Sequence, residues 1–261
     1  MKAIVSTIAL LFCCVSTTPF AQAQPHDYAA IINRNDAGEL DIILNAIENQ
    51  DFRNFDFTGT NSFDEVYLFI EEFNTQAPEP RDMWMSHDFH SHVRGYKFHG
   101  ANFSGMDLSG IDFTRSDFTG ANLTGANLTR SALDYSNFSN ANLTRANLTD
   151  TFIRFANLTG ANLSNAVLDE ARLDETNFTD ANLSGANAQN LEFGFTFGSG
   201  AANFTRTNLS NTILSGSSFH GATDFSSANL MGANFSETYF APTTLFVKGR
   251  TCNGATLDTC N

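Results

Sequence analysis

Residues 121–150 read ANLTG ANLTR SALDY SNFSN ANLTR ANLTD, a chain that repeats itself every five residues. Followed outward, the frame holds from Tyr96 to Phe195 without a break. The middle residue is Leu or Phe in 18 of the 20 units, with Ile153 and Ala188 as the exceptions. Two places earlier stands Ala, Ser or Thr in 16 of 20, and the larger Tyr96, Met106, Ile111 and Leu191 lie near the ends of the run. A helix repeats its apolar face every 3.6 residues and a strand every 2, and five fits neither. A short fixed period with one large and one small apolar residue signals a solenoid, in which each repeat adds the same unit of stacked backbone.

The A-N-L-T-G unit resembles the signature of the pentapeptide-repeat family, and with later units the resemblance covers well over half of the chain. It implies an all-β solenoid, a right-handed quadrilateral pentapeptide-repeat β-helix with four repeats per turn. The central residue and the one two before it then point inward, and the other three point to solvent. Residues twenty apart should stack. Phe98, Phe118, Phe138, Leu158 and Phe178 would form one column, Phe103, Leu123, Leu143, Leu163 and Leu183 the next. The small residues follow the same period: Ser116, Ser136 and Thr176 accompany the Phe column, and Ala156 accompanies its lone Leu158. Each inward Leu or Phe contributes about 1.5–3 kcal/mol on burial, and five turns at about 4.8 Å span about 24 Å.

Four segments follow from the sequence. Residues 1–23 read as a secretory signal, with Lys2, an apolar stretch from Ala3 to Val15 and Ala21-Gln22-Ala23 as the cleavage site. That stretch is too short for a membrane span, so stable membrane insertion is not expected. Residues 24–95 read as a small helical N-terminal cap. Asp36-Ala37-Gly38-Glu39 opens one amphipathic helix through Leu40, Ile43, Leu44 and Ile47; Ser62-Phe63-Asp64-Glu65 opens another through Val66, Ile70 and Phe73. Phe52 and Phe57, between them, are two isolated repeats. Residues 96–240 are the solenoid; after Phe195 it resumes one residue out of step at Phe204, Leu209, Leu214 and Phe219, then slips once more to Phe225, Leu230, Phe235 and Phe240. Those later units lengthen the rod to about 34 Å. Residues 241–261 are a C-terminal cap holding Cys252 and Cys260, which in an exported protein pair most simply as a disulfide.

The formal net charge is −14 at pH 7. Residues 24–95 hold 14 acidic and 4 basic residues, against 13 and 7 in 96–240. Such acidity argues against nucleic acid as a partner, since that requires a basic footprint. Three of the four faces show Asn, Thr, Ser and Gly outward, as the repeat itself requires. The face centred on Phe113, Leu133, Ile153, Leu173 and Phe193 differs: its outward positions include Arg115, Ala132, Asp134, Tyr135, Phe152, Arg154, Phe155, Arg172 and Phe195. Aromatics beside arginines are the composition of protein-binding hot spots. Coverage of the aromatics by a loop or by the N-terminal region is the competing reading.

His87, His90 and His92, with His99 nearby, have the side-chain chemistry to bind Zn²⁺ or Cu²⁺, although their spacing matches no specific signature. Asp169-Glu170 and Asp174-Glu175 read as a solvated acidic edge. No nucleophile–base pair or phosphate loop stands out, so neither an enzyme nor a cofactor is expected. The sequence therefore reads as an exported, periplasmic or extracellular, non-enzymatic scaffold that presents a rigid face to an unidentified protein partner. Homodimerisation, end to end or face to face, is compatible with such a rod. The alternative is a metal-binding protein using the histidine tract. A further alternative, implied by the resemblance, is a DNA mimic that engages topoisomerase, from which the export signal and the mainly neutral faces depart.

Overall fold

The computed structural model describes residues 50–57, 91–193, 202–219, 223–246 and 250–251. Its building unit is visible at Leu143. The Leu143 N–H donates to Asn162 O at 2.7 Å, and the N–H of Asn142 donates to Ala121 O at 2.8 Å. One bond reaches the turn above and one the turn below, so each face is tied in both directions. The Ala146 N–H then donates to Leu143 O at 3.0 Å, closing a β-turn whose third residue, Arg145, is left-handed at φ 58. Glycine takes that corner without steric cost, as Gly160 does at φ 67. Parallel bridges accordingly link residues twenty apart, from Lys97↔Asp117 through Val167↔Asn187, with four bridges in each turn.

The core is one ladder of side chains. Phe98, Leu123, Leu128, Leu163 and Phe178 are fully buried, and so are the small residues Ala121, Ala126 and Ala161. Phe98 stacks on Phe118 at 5.0 Å, and Phe118 on Phe138 at 4.8 Å with planes 1° apart. Several inward Ser and Thr hydroxyls find a carbonyl in the turn below: Ser116 donates to Val93 O at 2.8 Å, Ser136 to Phe113 O at 2.8 Å and Thr176 to Ile153 O at 2.7 Å. Outside, the asparagines form their own ladder. Asn122 Nδ2 donates to Asn102 Oδ1 at 3.0 Å, while Asn122 Oδ1 accepts from its own Thr124 hydroxyl at 2.7 Å. This explains why Asn and Thr sit two apart in the repeat.

The solenoid is longer than the uninterrupted repeats. Asp51 pairs with Lys97 and Asp56 with Asn102, a 46-residue offset, while strand β1 (Ser91–His92) pairs with β2 (Ile111–Asp112). Phe52, Phe57 and Val93 thus fill a turn below Phe98, and the two isolated repeats of the sequence are two faces of it. Between the turn holding Asn177, Asn182 and Asn187 and the next, the offset widens to 26, as in Asn177↔Asn203, then settles at 21, as in Asn203↔Asp224. On one face β3 (Glu192–Phe193), β4 (Ser218–Phe219) and β5 (Tyr239–Phe240) continue the parallel stack. The antiparallel pair β6 (Leu245–Phe246) and β7 (Arg250–Thr251) follows. The column from Asp51 to Leu245 has nine levels, whose eight intervals of about 4.8 Å span about 38 Å; Asp51 and Leu245 add two levels to those the 96–240 repeats supply. Arg206 clasps Asp180 across the widened offset at 2.6 Å, and this bond holds the Asp180 carboxyl below its ordinary pKa.

The two expected helices, Trp84, His87, His90, Phe195, Cys252 and Cys260 lie outside the described residues, as does the signal segment. No helix of the described residues is long and apolar enough to cross a membrane. The inward and outward assignments have a direct test in two neighbours. Leu143→Ala is expected to cost about 2–5 kcal/mol by leaving a cavity, whereas Thr144→Ala, on the outward side, should cost under about 0.5 kcal/mol. Equal losses in chemical denaturation would contradict the assignment.

Candidate interaction face

The face centred on Phe113, Leu133, Ile153 and Leu173 departs from the repeat at all three outward positions. At the corner, Arg115, Tyr135, Phe155 and Glu175 follow one another at twenty-residue spacing, with φ of 64, 61, 60 and 53. Asn tolerates this left-handed region, and the repeat places Asn140 and Asn165 in it elsewhere. A bulky aromatic does not: such backbone costs roughly 1–2 kcal/mol per residue. Tyr135 and Phe155 occupy it nonetheless, and they remain 54% and 39% exposed. Their rings stack at 4.8 Å with planes 3° apart. Arg115, from the turn before, carries its guanidinium to 5.8 Å from the Tyr135 centroid.

The position two after three of the bridge residues, Ala132, Phe152 and Arg172, carries charge. Asp134 was expected to face solvent, but the residue is only 6% exposed, and Ala132 beside it is 5%. Burial follows from the turn above. The Arg154 N–H donates to Asp134 Oδ1 at 2.8 Å, its Nε lies 3.2 Å from both carboxylate oxygens, and its Nη2 donates to Oδ2. The bonded Asp134 carboxylate raises the pKa of Arg154, and Asp174 adds to the effect from the following turn. Asp134, Arg154 and Asp174 thus alternate in sign up one column. Below them, Asp112 is fully buried and accepts from Arg94 and from the Thr114 N–H. Buried carboxylates require such partners.

The bridge column supplies the third feature. Phe152, half-buried, lies one turn below Arg172. The Arg172 guanidinium stands 4.9 Å from its centroid, and that of Arg154 stands 5.6 Å away. Six of the seven residues singled out in the sequence, Arg115, Tyr135, Phe152, Arg154, Phe155 and Arg172, therefore gather on one face. His92 enters the described chain in β1, where its backbone pairs with Asp112. Among the described residues, no group of three or more His, Cys, Asp or Glu is arranged to hold a metal. The ion pairs Asp134–Arg154 and Asp112–Arg94 were missed; the sign alternation at spacing twenty would have revealed the first.

These features define a β-helix solenoid with one irregular, partly strained face. Pentapeptide repeats in eight copies match residues 97–133, 121–154, 156–190 and 201–240, just over half of the chain. The chain belongs to the pentapeptide repeat family, whose members fold as right-handed β-helix solenoids. It is similar to a pentapeptide repeat protein of the Arabidopsis thaliana thylakoid lumen, at 33% identity over 38% of this chain and 68% of that one, with a TM-score of 0.37. It is also similar to QnrB1, a plasmid-mediated fluoroquinolone resistance protein, at 18% identity over 60% and 78%, with a TM-score of 0.34. HetL of Nostoc sp. strain PCC 7120, involved in heterocyst differentiation regulation, shares 21% identity over 62% and 83%, with a TM-score of 0.22. No curated protein matches the chain.

The strain at the aromatic corners can be measured. Their stacking returns about 0.5–1.5 kcal/mol beyond area, less than two left-handed aromatics cost. The double substitution Tyr135→Asn, Phe155→Asn should therefore leave the melting temperature unchanged or raise it. A fall of more than about 5 °C, about 2 kcal/mol for a chain of this size, would show that the rings act as core.

Proposed function

We propose that this protein is an exported, non-enzymatic scaffold that docks a protein partner on the face of Tyr135, Phe152 and Phe155. The observation that carries the reading is the placement of two half-exposed aromatics at left-handed corners, where Asn or Gly would be less strained. Residues held in unfavourable backbone regions concentrate at functional sites. Here the aromatics sit on a backbone tied above and below, so little ordering entropy is lost when a partner binds. The neighbouring arginines complete the hot-spot composition.

The same reading assigns a quadrilateral cross-section, supported by four parallel bridges in each twenty-residue turn. It assigns the 24–95 region a capping role with the helices its sequence pattern predicts. The burial of Phe52, Phe55 and Phe57 in the lowest described turn supports this, since an uncapped solenoid end would expose them. Export rests on Lys2, the apolar stretch that follows it, and Ala21-Gln22-Ala23.

The test is a cross-linked pull-down from the exported fraction, comparing the wild type with Tyr135→Asn, Phe155→Asn at matched folded concentration. A partner recovered by the wild type and lost from the variant is expected. Recovery of the same partner in equal yield by both would remove this face from the function.

A further inference from the structure

The irregular face presents exposed cations on a chain whose formal net charge is −14. Tyr135 and Phe155 each turn one ring face toward the other, which leaves the edges of the stack available to a partner. Those edges carry the positive end of the ring quadrupole. Arg115 and Arg172 are exposed, and each rests over a ring, of Tyr135 and Phe152 respectively. Among the described residues, no carboxylate lies within ion-pair distance of either. Arg154 between them is different, because Asp134 already holds it.

A guanidinium supported on a ring is partly ordered in advance, and its N–H fork stays free for a carboxylate in bidentate geometry. The two arginines start three turns apart, about 14 Å along the axis. Arg115 leans forward onto Tyr135 and Arg172 leans back onto Phe152. They therefore bracket the aromatic patch, which Glu175 bounds at the next corner.

We propose that the occupant of this face is an acidic protein segment, with carboxylates on either side of an apolar residue. The apolar residue packs against the edges of Tyr135 and Phe155 and against Phe152; the carboxylates pair with Arg115 and Arg172. This rests on the face being a partner surface and adds the chemistry of the partner. The overall charge of the chain would favour a basic partner at long range, but at this patch a basic segment meets two guanidiniums with no ion-pair partner among the described residues, and Asp134 between them is already held by Arg154. Local complementarity decides the register of docking.

The experiment pans a phage-displayed library of random dodecapeptides on the folded wild type and on Arg115→Glu, Arg172→Glu. Glutamate already occupies equivalent corners at Glu170 and Glu175, with φ 60 and 53, and Arg172 is exposed, so the variant is expected to melt with the wild type. The wild type should enrich peptides with Asp or Glu flanking an aromatic or aliphatic residue. The synthesised consensus should bind the arginine variant about tenfold more weakly or worse, and should also weaken on Tyr135→Asn, Phe155→Asn. Absence of enrichment, a basic or uncharged consensus, unchanged affinity for the arginine variant, or equally tight binding of a short DNA duplex through the same arginines would overturn the proposal. A pull-down partner lost with the aromatic variant but kept by the arginine variant would spare the partner face and remove only its acidic occupant.

Discussion

Through the uninterrupted repeats, the hydrogen bonds between turns place each side chain directly over the one twenty residues earlier, and the rest of the structure depends on that register. A central residue such as Leu143 gives its N–H to the turn above, while Asn142 gives its N–H to the turn below. No face can slide without breaking both sets. Like then stacks on like: phenylalanine on phenylalanine inside, asparagine on asparagine outside. The inward hydroxyls of Ser116, Ser136 and Thr176 are satisfied by the same register, each meeting a carbonyl of the turn below. In a ladder of this kind each turn contacts only its neighbours, so stability accumulates turn by turn.

The same constraint makes an irregular face possible. Because the backbone is held from above and below, a corner can retain Tyr135 or Phe155 in a conformation that either residue would avoid in a free loop. Because side chains stack, charges can alternate up a column, as Asp134, Arg154 and Asp174 do. The arginine and the backbone of the next turn bury Asp134. The face is thus a rigid surface whose aromatics and cations are fixed by their neighbours along the axis.

Much of this is legible in the sequence, because a local period of five and a stacking period of twenty both leave their marks on single residues. Phe98, Leu123 and Leu143 are inward by either criterion. The limits are equally local. Phe52 and Phe57 reveal their Asp-Phe pattern, but the 46-residue offset that brings them under Phe98 and Phe103 depends on how the intervening chain returns, and no period encodes that. Val93 closes the same turn with an aliphatic residue outside the uninterrupted frame. Asp134 looked solvent-facing because the repeat places it outward; its burial comes from one long side chain a turn away. Pairings such as Arg94 with Asp112, eighteen residues apart, arise from side-chain reach and leave no mark at the spacing of the backbone.

The central claim is the twenty-residue register, and disulfide trapping tests it most directly. Adjacent turns lie about 4.8 Å apart, within the range a disulfide bridges without backbone movement. Thr144→Cys paired with Ser164→Cys, twenty residues on, should therefore oxidise rapidly and completely within the monomer, as read by mass spectrometry of the cross-linked peptides. Thr144→Cys paired with Thr159→Cys, which the register places on a neighbouring face, should remain reduced under the same conditions. Equal trapping of both pairs, or preferential trapping of the second, would contradict the stacked four-bridge turn on which the fold, the core and the irregular face all rest.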